Sequence, residues 1–244
     1  MTKSCKASHW GIACFILLYV PLSTNAQEDT VEFSRAETLL WLTDQLKTIE
    51  RPMEFTYEFE RSGTFEPGFK DTVRFVVENV KDDGMKTASL EFFTGERTFD
   101  VPSAESTNVN PVLKIYLQGD VYEMNRLTDT DGKSKERWRY FQRRIKFSLA
   151  ESAVVKEVKV SFGGKEYAAK EVSFSPYTND PKRSLFEQFA DKTYTVVVSD
   201  ELPGYLYSIK TVVPGNRHDS RSLIEEVLQL AKVSERNVAS DSGL

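Results

Sequence analysis

Thiols and imidazoles are nearly absent from this chain. Its 244 residues hold two cysteines and two histidines. Cys5, Cys14 and His9 all fall within the first 26 residues, so Gln27 to Leu244 carries no thiol and one imidazole, His218. Cysteine nucleophiles and disulfides are excluded from that part, and a histidine-based zinc site lacks its several N or S ligands. A Ser-His-Asp hydrolase would need His218 as its base. No Gly-x-Ser-x-Gly accompanies it, and within Pro214-Gly215-Asn216-Arg217-His218-Asp219 it reads as a solvated loop residue. Asn-x-Ser/Thr sequons are missing too. With no disulfides and no sequons, an exported chain of this kind points to a bacterial periplasm.

Long apolar runs are also scarce. Trp10 to Val20 is shorter than the roughly 20 residues a spanning helix needs. It fits instead the apolar core of a secretory signal, with Lys3 and Lys6 before it, Pro21 ending it, and Ser23-Thr24-Asn25-Ala26 as a small-residue cleavage site. Cleavage is expected after Ala26. A lipidated Cys14 is the rival reading, but Phe15-Ile16-Leu17-Leu18 continues the apolar run past it. Without Lys3 and Lys6 the formal charge falls from −5 to −7. The expected organisation is a signal at 1–26, a single domain at 27–234 and a flexible tail at 235–244, a length that buries a core without staples.

What is present is mostly strand pattern. After a helix opened by the Ser34/Glu37 capping box, with Leu39, Leu42, Leu46 and Ile49 in one stripe and Pro52 ending it, the period drops to two. Phe55, Tyr57 and Phe59 alternate with Thr56, Glu58 and Glu60. Strands are predicted at Val73–Val80 and Met85–Phe93 around Asp82-Asp83-Gly84, then at Leu113–Leu117 and Val121–Leu127 around Gln118-Gly119-Asp120. Asp129-Thr130-Asp131-Gly132 reads as a further turn. Trp138–Leu149, Val154–Phe162 and Glu166–Phe174 follow, the last two joined by Gly163-Gly164. Val101–Pro111 reads as a loop. Asp180-Pro181 starts a short helix, Thr193–Val198 and Tyr205–Val213 are strands around a Pro203-Gly204 turn, and Ser222/Glu225 caps a last helix with Leu223, Ile224, Val227, Leu228 and Ala231 on one face. The fold class is therefore α+β: a strongly curved, mainly antiparallel half-barrel of about nine to ten strands, with an N-terminal, a short inserted and a C-terminal helix.

In its order of elements the chain resembles the periplasmic lipoprotein-carrier superfamily, the LolA/LolB-like half-barrels. Ala36–Glu50, Phe55–Phe59, Glu171–Tyr177 and Thr193–Val198 carry the likeness, with Val172-Ser173-Phe174-Ser175-Pro176 matching that family's strand ending in proline. The resemblance implies an incomplete barrel, late helices acting as a lid, and acyl chains bound in a hydrophobic groove.

Candidate chemistry is sparse. Asp129, Asp131, Ser134 and Glu136 lack the 12-residue pattern of a calcium loop and read as a hairpin turn. Asp200 and Glu201 form an adjacent acidic pair of the kind a glycosidase uses, in a segment better read as a tight turn. The basic stretch from Lys133 to Lys146 is interleaved with Trp138, Tyr140 and Phe141. As a strand it sets Arg137, Arg139 and Arg143 on one face and Trp138, Tyr140 and Arg144 on the other. Export and negative charge argue against nucleic acid as its partner. These four arginines are candidates for docking an acidic partner or lipid phosphates.

The expected function is non-enzymatic carriage of a lipid or other hydrophobic ligand in the periplasm, with no cofactor and no metal. Trp41, Leu42, Leu185, Phe186 and Phe189 are the expected helical lining; Phe55, Tyr57, Phe59 and Trp138 line from strands. The alternatives are an envelope interaction protein with a filled core and a carboxylate-dependent hydrolase. Expected partners are an acyl chain or hydrophobic small molecule, and an envelope protein or membrane surface.

Overall fold

Nine antiparallel strands form one sheet, and the first strand pairs with the last. A computed structural model describes residues 32–98, 100–129, 137–215 and 221–236. The strands are β1 (Met53–Ser62), β2 (Phe69–Val80), β3 (Lys86–Phe92), β4 (Ala104–Thr107), β5 (Val154–Phe162), β6 (Lys165–Phe174), β7 (Thr193–Val198), β8 (Leu206–Val213) and β9 (Ile224–Glu235). Their order across the sheet is β4-β3-β2-β1-β9-β8-β7-β6-β5. The sheet is curved and does not close, so the fold is α+β. Three of the expected hairpins, β2–β3, β5–β6 and β7–β8, stand where the turn chemistry placed them. Gly84 takes a left-handed φ of 81° between β2 and β3, and Gly163 and Gly164 do the same between β5 and β6.

Helices occupy the concave side. A short α1 (Arg35–Glu37) has the expected capping box, with Glu37 N–H donating to Ser34 Oγ and Ser34 N–H to Glu37 Oε2. It widens at once into a π-turn over Thr38–Leu42 and ends. The stripe from Leu39 to Ile49 therefore does not continue as one helix. The chain turns so that Gln45 and Leu46 donate their amides to Asn108 O, and the Gln45 side chain accepts from Asn110 N–H. Leu42 is left 52% exposed while Leu39, Leu46 and Ile49 are buried.

Several sequence expectations are corrected. Leu113–Leu117 and Val121–Leu127 are not two strands but one helix, α2 (Pro111–Thr128). Its buried residues, Val112, Leu113, Tyr116, Leu117, Asp120, Val121, Met124 and Thr128, follow a helical period, and a side chain at Gly119 would meet open space. Asn110 caps it by accepting from Val112 N–H, with Pro111 in the first turn. Trp138–Leu149 is likewise helical, within α3 (Trp138–Glu151), burying Phe141, Ile145, Ser148 and Leu149. The segment after Asp180 is two 3-10 turns, Arg183–Leu185 and Glu187–Asp191, with Asp180 Oδ1 accepting from Lys182 N–H. The expected loop at Val101–Pro111 contains β4. The expected C-terminal helix is β9, in which Ile224, Glu226, Leu228 and Leu230 alternate inward until a bulge opposite Thr56/Tyr57 shifts the register. The signal segment, the Asp129–Gly132 turn beyond Asp129, His218 and the tail from Asn237 lie outside the described residues.

Two glycines separate helix propensity from steric need. A Cβ at Gly119 meets no atom within 4 Å, whereas one at Gly204, where φ is +75°, falls 2.8 Å from a ring carbon of Phe55. Gly119→Ala is expected to stabilise by about 0.5–1 kcal/mol. Gly204→Ala is expected to destabilise by more than about 1 kcal/mol. Urea midpoints of the two variants check the opposite signs.

Candidate functional site

Strand pairing arranges the inward side chains in rows that cross the sheet. Val172, Val196, Ile209, Leu228 and Phe59 stand opposite one another in one such row. Further along the trough Tyr57 faces Val73 and Leu230, and Phe55 faces Phe75 and Val233. Phe55 and Phe75 stack with centroids 5.3 Å apart. On the other side of the first row the character changes. Tyr194, Thr211, Glu226 and Arg61 stand opposite one another across β7, β8, β9 and β1, near the end where β1 turns into β2. The trough is thus apolar along most of its length and polar at one end.

Helix α2 meets that polar row with its own polar stripe, Tyr116, Asp120 and Glu123, spaced to share one helical face. Tyr116 OH donates to Glu226 Oε2 at 2.9 Å and lies 3.3 Å from Thr211 Oγ1. Thr211 Oγ1 also donates to Glu226 Oε2. Asp120 forms an ion pair with Lys192, the residue just before β7, and accepts from Tyr194 OH at 2.6 Å. The hydroxyls of Tyr177 and Tyr194 lie 3.4 Å apart. Glu123 Oε1 accepts from Arg61 Nη1 at 2.8 Å, and Arg61 also reaches Glu66. Arg126 joins Glu66 and Glu123 at the outer rim. Lys192 and the Asp120 carboxylate have almost no solvent contact.

Electrostatics follow from this burial. Desolvation raises the phenols of Tyr116, Tyr177 and Tyr194 well above their ordinary value, and the nearby Asp120 carboxylate adds to it. Burial works against the Lys192 ammonium, but Asp120, with Glu226 and Glu123 behind it, outweighs burial and raises its pKa. For Glu123, burial pulls upward, while hydrogen bonds from Arg126 and Arg61 outweigh it and hold the carboxyl at about 2.

The expected lining residues divide. Phe55, Tyr57 and Phe59 come together on the inward face of β1, all buried. The Tyr57 hydroxyl accepts from Asn110 Nδ2 at 2.9 Å, tying β1 to the start of α2. Phe186 is buried against Phe141 and Tyr177, and Phe189 packs edge-on against Phe65. Trp41 and Trp138 are half-buried, the latter beside Tyr122. Leu42 and Leu185 face solvent. The four arginines part company. Arg137 donates to Thr128 O at the end of α2. Arg144 Nε lies 2.6 Å from Asp180 Oδ2, at an angle too poor for a hydrogen bond. Arg139 and Arg143 point outward on α3. Asp200 is held by Lys47 and Lys170, and Glu201 accepts from Ala168 N–H, both as turn contacts.

The trough is occupied in this structure. Leu113, Leu117, Val121 and Met124 of α2, with Phe141, Ile145 and Leu149 of α3, are buried in one core with the inward strand residues. Two open depressions, of about 670 and 380 Å³, lie elsewhere: one along Glu58, Glu60, Lys70 and Gln229 on the outward side of the sheet, the other beside Gly63 and Ser222.

Asp120, Lys192, Glu226, Thr211, Tyr116 and Arg61 were not legible as a site in the sequence. One signal was available: Asp120 follows Tyr116 and precedes Met124 by four residues, a carboxylate inside an apolar helical stripe.

No family model matches the chain, and no curated protein matches it in sequence. Solved structures align with it only distantly. A chain of the Pseudomonas aeruginosa MucA/MucB complex matches with a TM-score of 0.36 and 12% identity over 85% of this chain and 59% of that one, so this chain spans less than two thirds of its length. The lipoprotein LppX of Mycobacterium tuberculosis matches at 0.33 and 9% identity over 85% of this chain and 100% of that one. A LolA superfamily protein of Nitrosomonas europaea gives 0.23 and 8% over 83% and 94%.

The buried pairs are open to direct test. Lys192→Met strands Asp120 without its cation and is expected to cost about 3–5 kcal/mol in urea unfolding. Adding Asp120→Leu is expected to recover at least about 1 kcal/mol, a coupling that a double-mutant cycle reads directly. For Glu123, a folded pKa below the ordinary 4.5 means that its ionised form stabilises at neutral pH. That stability drains away as pH falls from about 4.5 toward 2. Glu123→Gln is expected to flatten the fall in stability across that window.

Proposed function

We propose that the protein is an exported carrier of an amphiphilic ligand, working in the periplasm after removal of residues 1–26. One observation supports this above all: the concave trough has apolar rows ending in a polar row, and its cover is a separate layer rather than part of the strand meander. An acyl chain replaces the apolar side chains that α2 lays into the trough, and a polar head takes the place of Tyr116, Asp120 or Glu123 at the Tyr194–Thr211–Glu226–Arg61 row. Phe55, Tyr57, Phe59, Phe186 and Phe189 are the proposed apolar contacts. Trp41, Leu42, Trp138 and Leu185 lie on the cover or its rim and move with it. Binding strength comes from apolar area removed from water, at about 25 cal/mol per Å² before the cost of displacing the helix.

A second reading draws on the same packing. With the trough filled by α2 and α3, the fold also suits an envelope interaction protein whose interior is purely structural.

Mass spectrometry of a solvent extract from the purified protein separates the two. The carrier reading expects a defined amphiphile at near-stoichiometric yield, or uptake of a fluorescent fatty acid by protein that emerges empty. It also expects Tyr116→Phe, which removes one tie between α2 and β9, to raise apparent affinity, because a larger fraction of molecules then has the trough open. Empty protein that takes up no probe, with Tyr116→Phe no different, favours the filled-core reading.

A further inference from the structure

The outward face of α3 carries cations with no carboxylate among them. Arg139, Arg143 and Lys146 follow at helical spacing, all exposed, and span roughly 10 Å of the helix axis. Opposite them, Phe141, Ile145, Ser148 and Leu149 are buried, which fixes Arg143 squarely toward solvent. Among the described residues neither Arg143 nor Lys146 makes an ion pair. The only carboxylate of the helix, Glu151, is its last residue. Phe147, beside Arg143 on the same arc, is 51% exposed.

A neighbouring segment extends the patch. Lys182 lies 5.2 Å from the ring of Tyr140, the α3 residue one turn before Arg144. Leu185, three residues further on, is 54% exposed. The surface thus combines three cations, Arg143, Lys146 and Lys182, with two outward apolar side chains. The chain as a whole is acidic, with a formal charge of −5. A negative surface therefore repels most of the molecule and attracts this face, so the patch sets orientation as well as contact.

We propose that this face of α3 docks the protein on an anionic phospholipid surface. Arginine and lysine meet headgroup phosphates, while Phe147 and Leu185 enter the interfacial region. Clustered basic side chains are each worth about 1 kcal/mol, about fivefold in binding, near an anionic lipid surface, and an exposed Phe147 adds apolar area to the contact. The contact is peripheral, made by side chains on one face of a helix whose other face stays in the core. It concerns the outside of the cover and does not depend on what the trough holds.

Vesicle co-sedimentation of the full chain tests it, using phosphatidylcholine alone and phosphatidylcholine with about one third phosphatidylglycerol. The neutral vesicles report whatever the apolar run Trp10–Val20 contributes, and the difference between the two compositions is the quantity read. Binding is expected on anionic vesicles in excess of neutral ones, and that excess is expected to vanish near 1 M salt, where screening shortens to about 3 Å. Arg143→Gln and Lys146→Gln are each expected to lower the excess about fivefold. Phe147→Ser is expected to lower it without altering its salt dependence. Lys70→Gln, on the outward face of the sheet, is expected to leave it unchanged. All four sites are exposed, and circular dichroism verifies the fold. Equal binding to both vesicle types, or an excess indifferent to Arg143→Gln and Lys146→Gln, overturns the proposal. So does binding to soluble polyglutamate without binding to anionic vesicles, which assigns the patch to an acidic protein.

Discussion

Pairing of β1 with β9 is the constraint from which the rest of the architecture follows. Nine residues of β1 also pair in continuous register with β2, from Met53↔Val77 to Arg61↔Phe69, so β1 joins an N-terminal meander, β1 to β4, to a C-terminal one, β5 to β9. Each meander is local and pairs strands that are neighbours in sequence. Their junction is not: it joins the two ends of the described chain. As a result β4 and β5, which are separated in sequence by α2 and α3, become the two opposite edges of the sheet. The chain leaving β4 must travel to the far edge before β5 begins. On a strongly curved sheet the direct route lies across the concave face. The helices therefore cover the trough because the strand order leaves them there, and their apolar stripes answer to the surface they cross.

The same junction brings the polar row together. Arg61 is supplied by the N-terminal meander and Glu226, Thr211 and Tyr194 by the C-terminal one, and they align only because Arg61 pairs opposite Glu226. Tyr116, Asp120 and Glu123 then read that alignment from above. A one-residue slip of β9 against β1 would turn Glu226 outward and strand the Tyr116 hydroxyl in the core. The buried charges thus depend on register, and they penalise every register but one.

Where the sequence is locally consistent, its pattern can be read directly. Phe55, Tyr57 and Phe59, the Asp83-Gly84 and Gly163-Gly164 turns, and the Ser34/Glu37 capping box all stand as their chemistry dictates. The misreadings concentrate on residues that break the local pattern for a distant reason. In β9 a carboxylate, Glu226, holds an inward position and a bulge follows at Ala231, so the apolar residues fall at spacings that mimic a helix. In α2 the dipeptide Gly119-Asp120 looks like a hairpin turn, yet Gly119 borders open space and Asp120 faces Lys192. In α3, alternating arginines and aromatics have a period of two for the first few residues, which hides the Phe141, Ile145, Leu149 stripe. Two of these three disguises are the site's own residues. A buried charge is explained only by its partner, and the partner is remote in sequence: 72 positions separate Asp120 from Lys192 and 110 separate Tyr116 from Glu226.

A polar seam beneath a covering helix also behaves differently from an apolar one. Two buried ions give back in desolvation much of what their attraction gains, so the Asp120–Lys192 pair adds far less net stability than its close approach suggests. Removing one partner is costly because the other stays buried and uncompensated. Lifting α2 as a body is a different process: Asp120, Lys192, Glu226 and Arg61 all regain water together, and the hydration they recover offsets the broken ion pairs and hydrogen bonds. The apolar side chains of α2 resist that movement by the area they expose, and in the carrier proposed above an acyl chain would supply apolar area in their place. The seam therefore fixes where the helix sits, while adding little net stability to that position. The polar seam thus specifies one position for the covering helix more sharply than an unbroken apolar contact does.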